Sequence, residues 1–332
     1  MTMPPSASRR AALVYNPIKV DEVRLRSTVQ EMCAAEGWQE PAFYTTTIED
    51  AGQAATAQAL ARGADVVLVA GGDGTVRAVS EAIAHTGVPL AIVPSGTGNL
   101  LARNLLLPLA SPEEMIRAAL TGIRRPIDIG WARITRADGA AAEHAFVVLA
   151  GIGLDADMIA NTRPNLKRSV GWIAYVDGAA RSLANASPFR SVYQVDDGRL
   201  HSTKVHSILF ANCGTLPAGI ALIPDASIAD GTLDIAVITP SGAFGWFNVW
   251  RRIWWENSVL RRFPAGRRVL ERRGKDASVH YYQGSAAEAA ASLPTPVELD
   301  GDEFGEAVRI TCRVDPGALL LALPEGHADH VL

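Results

Sequence analysis

The chain has 332 residues, of which 48% are hydrophobic and 20% are charged, a globular composition that is long enough for two domains. Many nucleic-acid-binding proteins are basic overall, whereas this chain has a net charge of −4 at pH 7. We therefore expect no nucleic-acid partner. Three widely spaced cysteines outside any CxxC pattern argue against a disulfide framework and against a zinc site. No run reaches the ~18 uncharged apolar residues of a transmembrane helix, and the polar start has no signal-peptide pattern. These features predict a cytoplasmic protein whose association with a membrane is peripheral.

The first part of the chain alternates strand-like and helix-like segments, which predicts a doubly wound parallel sheet. The expected strands are 11–15, 43–47, 66–70 and 90–93, and the expected helices are 20–37, 49–62, 76–85 and 111–121. In the first helix, Val23, Val29 and Met32 are the expected core positions. The last helix opens with Ser111, a proline and two glutamates, which is the pattern of a capping box.

A glycine-rich turn follows the strand at 66–70. Gly71, Gly72 and Gly74 surround Asp73 and are followed by Thr75. Backbone N–H groups and the helix dipole at such a strand-to-helix turn favour an anion, most often phosphate. The alternative is a tight turn that binds no ligand, although a plain turn rarely needs three glycines.

A second loop of the same kind follows the strand at 90–93. It contains Ser95, Gly96, Thr97 and Asn99 and leads into another helix-like segment. Both loops are expected at the carboxyl ends of parallel strands, which is where ligands bind in such folds. Neither loop fits the Walker A or the G-x-G-x-x-G pattern. Two facing loops of this type favour a nucleotide.

After Pro126, strand-like segments are joined by Asp-Gly, Pro and Gly turns, which predicts a β-rich, sandwich-like second domain. The strands are expected at 127–135, 144–150, 189–196, 204–212, 233–238, 297–299 and 307–313. Asp-Gly pairs at 138–139 and 197–198 indicate hairpins, and 284–291 has the composition of a loop. The apolar run 318–323 leaves open whether the chain returns to the first domain.

Short motifs along nearly the whole chain occur in the order found in one known family. They are GGDGT at 71–75, PSGTGN at 94–99, Asn16-Pro17, Asp128, Gly151 to Asp155, Asp230 to Asp234, and Asp300-Gly-Asp302. This ordered set resembles the catalytic domains of the diacylglycerol kinase-like lipid kinases, which include bacterial diacylglycerol kinases and sphingosine kinases. The resemblance implies an α/β, Rossmann-like nucleotide-binding domain of the NAD kinase/diacylglycerol kinase type and a β-rich, sandwich-like domain for the lipid. We place these domains at residues 1–126 and 127–316, with 317–332 as a C-terminal segment that could rejoin the first.

The resemblance also implies an activity, which is phosphate transfer from ATP, with Mg²⁺, to a lipid hydroxyl. Diacylglycerol, giving phosphatidic acid, is the leading acceptor. Because NAD kinases share the GGDGT motif, an NAD kinase-like enzyme is one alternative. A nucleotide- or lipid-binding regulator without catalysis is another, and assembly as a homodimer is left open.

The same resemblance assigns roles to individual residues. The nucleotide contacts would be Asn16, Thr45, Gly71, Gly72, Asp73, Gly74, Thr75, Ser95, Gly96, Thr97 and Asn99. Asp73 and Asp128 would hold Mg²⁺ through water, although Asp73 could instead only cap the following helix. The general base would be Asp302 or Asp300, with a plain hairpin turn as the alternative for both.

A second, structural magnesium site is implied at 230–234. There the Asp230 carboxylate would act with backbone carbonyls of about Ser227 and Thr232. Ligation by oxygen alone at a tight turn suits a hard cation. A turn without a metal is the alternative.

The sequence departs from the family pattern at two positions. Where the family often has Ser-Gly after Asn-Pro, this chain has Ile18 and Lys19, and Lys19 could place a point charge on a phosphate. Where the second loop usually ends in Asn-Asp, position 100 is Leu, so that one acid of the magnesium network is missing.

A lipid substrate implies contact with a membrane surface, and 243–273 is the candidate stretch. It interleaves tryptophans with arginines, and the nine basic and two acidic residues of 251–275 give a local charge of +7. Aromatic and basic side chains together favour a membrane interface. The alternatives are an amphipathic helix packed on its own protein and, less favoured, a nucleic-acid contact. Lys167, Arg168 and Trp172 form a second candidate patch.

Overall fold

The computed structural model describes residues 9–153, 188–216, 220–221, 226–239 and 278–328. These residues fall into two compact units. Unit 1 contains the described residues up to Ile129, the short segment Ile228–Gly231, and the C-terminal part from Asp315. Unit 2 contains the described residues from Gly130 to Ser227 and from Thr232 to Val314.

Unit 1 is built on a parallel sheet with the strand order β2-β1-β3-β4, and the end of the last strand, β16 (Asp302–Leu323), pairs with β4. Its elements are β1 (Ala11–Tyr15), α1 (Glu22–Ala35), β2 (Ala42–Thr45), α2 (Gln53–Ala61), β3 (Val66–Gly71), α3 (Asp73–Ile83), β4 (Leu90–Pro94), α4 (Leu100–Asn104) and α5 (Pro112–Thr121). Strands β1 and β3 are buried at every position, as their unbroken apolar sequences predict. The predicted α/β fold of this part is confirmed.

The core face of α1 differs from the prediction. Leu25, Val29 and Cys33 are buried, whereas Val23 is 81% exposed and Met32 is only half-buried. The buried residues are spaced four apart, so they form one stripe along the helix, and Val23 and Met32 lie two residues and one residue away from positions on that stripe. Val29 was predicted correctly, and Val23 and Met32 were wrong.

Helix α5 starts and ends where the sequence predicts, but the hydrogen bond of the predicted capping box from Ser111 is absent. Ser111 is its N-cap residue and Pro112 its first residue, but the Ser111 side chain makes no capping hydrogen bond. The carboxyl end is stabilised by Arg124, whose guanidinium donates to the carbonyls of Ala118 and Ala119 at 2.9 and 2.7 Å. A cation at the last carbonyls of a helix interacts favourably with the negative end of the helix dipole.

Unit 2 is an antiparallel β structure. Its elements are β5 (Ile123–Thr135), which begins in unit 1, β6 (Ala141–Phe146), β7 (Leu149–Ile152), β8 (Phe189–Val195), β9 (His201–Val205), β10 (Ser207–Ala211), β11 (Thr215–Leu216), β12 (Ile220–Ala221), β13 (Leu233–Ile238), β14 (Val279–Gly284), β15 (Ala286–Leu299) and β16 (Asp302–Leu323), which ends in unit 1. The main strand order is β14-β13-β10-β7-β15-β16, with β8 beside β15 and β9 beside β8. The predicted β-rich second part is confirmed.

The turns of unit 2 follow the Asp-Gly signals. The 138–139 pair joins β5 to β6, and the 197–198 pair joins β8 to β9, both as antiparallel hairpins. The loop predicted at 284–291 is wrong, because this segment is the end of β14 and the start of β15. Ala287 and Ala289 are buried in the core of unit 2, where close packing against larger neighbours replaces the side-chain bulk that usually marks a strand.

Candidate active site

The first glycine-rich loop connects β3 directly to α3. Gly71 ends the strand, and a Cβ built on it would lie 2.7 Å from the Cβ of Thr75, so only glycine lets Thr75 fold back onto the strand end. The N-cap residue of α3 is Gly72, which offers no side-chain acceptor to the first turn of the helix. Backbone N–H groups at such a helix end are suited to bind an anion.

Aspartate side chains cap the two preceding helices, α1 and α2. Asp21 accepts from the N–H of Arg24 at the start of α1. Asp50 accepts from Gly52, Ala54 and Ala55 at the start of α2 with N···O distances of 3.0–3.1 Å. Aspartate side chains therefore bind the first turns of α1 and α2, whereas Gly72, the N-cap residue of α3, makes no side-chain hydrogen bond.

The second loop packs against the first. A Cβ on Gly96 would lie 2.9 Å from the Cα of Gly72, so the two loops touch through glycine. Asn99 adopts a left-handed backbone, and its side chain accepts from the N–H of Gly96 at 3.0 Å and donates to its carbonyl at 2.8 Å. Ser95 donates to the carbonyl of Val93 at 2.9 Å, and Thr97 is exposed. The loop is thus closed by its own polar side chains.

Asp73 links the two loops. Its Oδ1 accepts from the backbone N–H of Leu100 at 2.5 Å, and its Oδ2 occupies the space that a side chain at Gly98 would need, 2.3 Å from the ideal Cβ position. Asp73 therefore caps α4 of the second loop, and its role in holding Mg²⁺ stays a prediction. Leu100 contributes its backbone N–H to this contact, and its side chain is buried.

The loop after β1 is a fixed turn at the same edge of the sheet. The N–H of Asn16 donates to the carbonyl of Ala70, and the Asn16 Oδ1 accepts from the N–H of Ile18 at 3.0 Å. Tyr15, the last residue of β1, donates its hydroxyl to Glu22 at 2.6 Å and so bridges the loop. Burial and the hydrogen bond to Glu22 raise the pKa of Tyr15. Lys19 lies exposed in this turn.

The sheet therefore gathers most of the predicted nucleotide contacts at one edge. Thr45 is the exposed last residue of β2 and pairs with the last residue of β1. Because parallel strands end at the same edge, Asn16, Lys19, Thr45 and both glycine-rich loops lie along the carboxyl ends of β2, β1, β3 and β4.

Asp128 is a buried residue whose hydrogen bonds connect separate segments of unit 1. Its Oδ2 accepts from the N–H of Gly231 at 2.7 Å and its Oδ1 from the N–H of Gly317 at 2.8 Å, while its own N–H donates to the carbonyl of Ile228. The side chain is 3% exposed. These hydrogen bonds join β5 to the 228–231 turn and to the C-terminal part, and a magnesium role for Asp128 stays a prediction.

The second predicted metal site stays a prediction as well. Asp230 is exposed, Gly231 has a φ of +73°, and Ser227 and Thr232 are half-buried. Within the residues that the structure describes, no three or more His, Cys, Asp or Glu side chains are grouped so that they could hold a metal ion. A magnesium ion here would depend on carbonyl, water or substrate oxygens, which is usual for this ion.

The Asp-Gly-Asp motif of unit 2 separates its two carboxylates. Asp300 is 3% exposed and has a φ of +51°. Its Oδ1 accepts from the N–H groups of Val148 and Leu149 at 2.8 and 2.9 Å, and its Oδ2 accepts from that of Val147 at 2.8 Å. Asp302, the first residue of β16, is half-buried. Asp300 thus organises the segment between β6 and β7, whereas Asp302 is the more accessible carboxylate.

Sequence reasoning missed the partners of Asp300 because 147–149 carry only apolar side chains and contribute through their backbone. Asp300 has a further neighbour in Cys213, whose pKa is raised well above its ordinary range by burial and by the Asp300 charge. The three backbone N–H groups that donate to the Asp300 carboxylate stabilise it in this buried place.

Two of the predicted surfaces lie outside the described residues. These are the candidate membrane stretch at 243–273 and the patch of Lys167, Arg168 and Trp172. None of the helices that the structure describes combines the length and the apolar composition needed to cross a membrane.

Comparison with known families agrees with both units. Residues 10–132 match the family described as diacylglycerol kinase catalytic domain, and residues 147–323 match the YegS C-terminal NAD kinase beta sandwich-like domain. The second match alone spans more than half of the chain.

Individual relatives extend over most of the sequence. A diacylglycerol kinase of Bacillus subtilis is 29% identical over 237 residues, which are 69% of this chain and 74% of that protein. A probable lipid kinase YegS-like of Pseudomonas fluorescens is 28% identical over 323 residues, 96% of this chain and 97% of that protein.

Solved structures show the same fold. A crystal structure of a putative diacylglycerol kinase from Bacillus anthracis superposes with a TM-score of 0.72 at 21% identity, over 98% of this chain and 100% of that one. An NAD kinase from Archaeoglobus fulgidus in complex with ATP gives a TM-score of 0.50 at 14% identity, over 96% and 95%. With the two family matches, the ordered motifs and the joined glycine-rich loops, the chain belongs to the diacylglycerol kinase-like lipid kinase family.

Proposed function

We propose that this protein is an ATP- and Mg²⁺-dependent kinase that phosphorylates diacylglycerol to phosphatidic acid. The observation that carries the proposal is the junction of the two glycine-rich loops, where Asp73 is held beside the uncapped amino end of α3. Phosphoryl transfer needs phosphate positioning, charge neutralisation and a base for the attacking hydroxyl. The described residues offer a candidate for each of these needs.

The phosphate groups of ATP bind at the first turn of α3. Its backbone N–H groups follow Gly72, which has nothing within 4 Å of the position where a Cβ would stand. That open space lets phosphate oxygens approach the backbone closely. Lys19, exposed in the loop after β1, adds a mobile positive charge.

The residues present fit a magnesium ion held mainly by Asp73. Magnesium is usually bound through one or two carboxylates together with substrate phosphates and water, so the absence of an acid at position 100 leaves a sufficient donor set. When bound, the ion would neutralise charge on the transferred phosphoryl group. Asp128 fits less well, because both of its oxygens already accept backbone hydrogen bonds.

Asp302 is the general base. The lipid hydroxyl oxygen forms a bond to the γ-phosphorus, its proton passes to the Asp302 carboxylate, and the bond to ADP breaks. Asp300 is unsuited to this role, since its two oxygens hold three N–H groups in a buried place. Its function is to fix the segment at 147–149.

The similarity to a diacylglycerol kinase and to a probable lipid kinase supports a lipid acceptor, and the fold similarity to an NAD kinase supports NAD as the alternative acceptor. The test is transfer of labelled phosphate from ATP with Mg²⁺, with diacylglycerol vesicles, sphingosine vesicles and NAD as separate acceptors. We expect labelled phosphatidic acid. Label on NAD alone would exclude the lipid kinase proposal, and label on sphingosine alone would exclude diacylglycerol as the acceptor.

A further inference from the structure

Asp302 lies on a short outer segment of the hairpin that β15 and β16 form. The two turn residues, 300–301, have φ values of +51° and +89°, which is typical of a tight two-residue hairpin turn. Two cross-strand pairs follow the turn, Leu299 with Asp302 and Glu298 with Glu303, and the register then shifts. The position of the Asp302 carboxylate therefore depends on how the chain is held at this shift.

The shift is a β-bulge in β16. At this point β16 has two residues, Phe304 and Gly305, opposite the single residue Val297 of β15. Gly305 has a φ of +68°, a left-handed conformation that favours glycine. A bulge interrupts the ladder and increases the local twist, so it changes the direction in which nearby side chains point. Bulges are frequent beside active sites, and this one begins two residues after Asp302.

The side chain of Arg136 binds the bulge from both sides. Its guanidinium donates from Nη2 to the carbonyl of Phe304 and from Nη1 to the carbonyl of Glu306. A Cβ on Gly305 would lie 3.1 Å from Nη1, so the guanidinium approaches this closely because position 305 has no side chain. The planar guanidinium presents its donors in fixed directions, whereas a lysine ammonium does not. One side chain thus fixes the backbone before and after Gly305.

Arg136 is itself held in the closed turn between β5 and β6. Its N–H donates to the carbonyl of Ala140 at 2.8 Å, and its carbonyl accepts from the N–H of Gly139 at 3.1 Å. The same hairpin makes a second contact through His144 of β6, whose ring centroid is 4.9 Å from that of Phe304. Phe304 also packs against the core of unit 2. The β5–β6 hairpin therefore supports the bulge through a guanidinium and through a ring.

The two strands of the hairpin that carries Asp302 are held by different neighbours. β15 pairs with β7 through residues 297–299, and Asp300 accepts the three N–H groups of 147–149. β16 lies on the other side of β15, next to β5, and Arg136 binds there. Asp300 therefore fixes the β15 side of the turn, and Arg136 fixes the β16 side, to which Asp302 belongs.

We propose that Arg136 is a positioning residue for phosphoryl transfer, which holds the bulge at 304–306 and thereby the Asp302 carboxylate in its working place. The assignment rests on the proposed function, in which Asp302 accepts the proton of the lipid hydroxyl. A general base must lie within hydrogen-bond reach of the proton that it removes. A displacement of about 1 Å can reduce the rate about 100-fold. Arg136 acts here through Asp302 and not on the substrate.

The test measures kcat and KM for the transfer of labelled phosphate from ATP, with Mg²⁺, to diacylglycerol vesicles. Arg136→Ala and Arg136→Lys are made in the full chain, both alone and together with Asp302→Asn. Calorimetry shows which variants are folded at the assay temperature, and Arg136→Lys serves if Arg136→Ala is not. Arg313→Ala is the matched control, because Arg313 also connects β16 to β6, through Glu143 at 3.4 Å, and lies eight residues beyond Gly305.

We expect Arg136→Ala to lower kcat about 10- to 100-fold without a change in the KM for ATP. Arg136→Lys should also lower kcat, because lysine keeps the positive charge but lacks the planar fork. Together with Asp302→Asn, neither substitution should lower the residual kcat further, since no base is left to be positioned. Arg313→Ala should have the kcat of the wild type.

Two results would overturn the assignment and leave the proposed function intact. One is a wild-type kcat in both Arg136 variants. The other is the same fold-loss of kcat with Asp302 present and with Asp302→Asn, because Arg136 would then act independently of the base.

Failure of the proposed function gives different results. If Asp302→Asn alone has the wild-type kcat, the base assignment and this inference are both wrong. If the wild type phosphorylates sphingosine or NAD instead of diacylglycerol, the proposed acceptor is wrong, and the same variants measured with that acceptor decide on Arg136. A wild type that transfers phosphate to none of the three would overturn the proposed function together with this inference.

Discussion

The Asp-Gly-Asp motif allows the structural and chemical roles of two carboxylates to be separated. We compare Asp300→Asn with Asp302→Asn, two substitutions that keep the shape of the side chain. In Asp300→Asn, an NH₂ group replaces an oxygen that accepts a backbone N–H. Whichever way the amide turns, one buried donor then faces another donor.

The expected cost follows from these hydrogen bonds. A hydrogen bond to a charged group contributes about 1.5–3 kcal/mol, and a buried donor left without an acceptor costs a similar amount. Losing one bond and weakening the other two gives a destabilisation of about 3 kcal/mol. For a unit of this size, each kcal/mol lowers the melting temperature by about 2–4 °C, so we expect a decrease of about 6–12 °C.

Asp302→Asn should behave in the opposite way. Asp302 is half-buried at the start of β16, so we expect Asp302→Asn to lower the melting temperature less than Asp300→Asn does. Loss of a general base lowers kcat by about 10²- to 10⁴-fold. Melting is followed by calorimetry, and kcat by phosphate transfer to the acceptor that the wild type uses. Wild-type kcat in Asp302→Asn would refute the base assignment, and an unchanged melting temperature in Asp300→Asn would refute the reasoning about its hydrogen bonds.

Three further predictions test other parts of the structure. Gly71→Ala should lower the melting temperature, because its Cβ would lie 2.7 Å from Thr75 at a cost of about 1–3 kcal/mol. Gly72→Ala should melt as the wild type does but bind ATP more weakly in calorimetry, and equal melting temperatures of the two variants would contradict this prediction. Asp128→Ala should cost about 2–5 kcal/mol by leaving two backbone donors without their acceptor, and faster proteolysis of the C-terminal part should report it, with wild-type protection as the contrary result. All three cysteines are buried, and burial raises the pKa of Cys33 to about 11, so iodoacetamide at pH 8 should label none of them until denaturant is added; labelling of the native protein would show that the sites open.

The sequence identified the family, the α/β unit and the β-rich unit, because these depend on local patterns. Unbroken apolar runs marked β1 and β3, and three glycines within four positions marked the phosphate-type loop. Asp-Gly pairs marked the hairpins before β6 and before β9. Each of these signals reflects a conformational preference of a few consecutive residues.

Some local patterns were misleading because a tertiary contact outweighed them. The alanines of β15 have the composition of a loop, yet they lie in a strand because neighbouring strands pair with both of its edges. Val23 is apolar, as core residues usually are, yet its position on α1 faces solvent. Whether a residue on one face of a helix or strand is buried depends on the elements that pack against that face, and the local sequence does not specify those elements.

The tertiary structure alone decided what each acidic side chain does. In the sequence, Asp73, Asp128, Asp300 and Asp302 are four similar residues beside turns. In the folded protein, Asp73 caps the amino end of α4, and Asp302 is half-buried. Asp128 and Asp300 accept hydrogen bonds from backbone N–H groups that are distant in the sequence. These partners are backbone groups that every residue except proline carries, so no sequence pattern could mark them, and only folding brings donor and carboxylate within hydrogen-bonding distance.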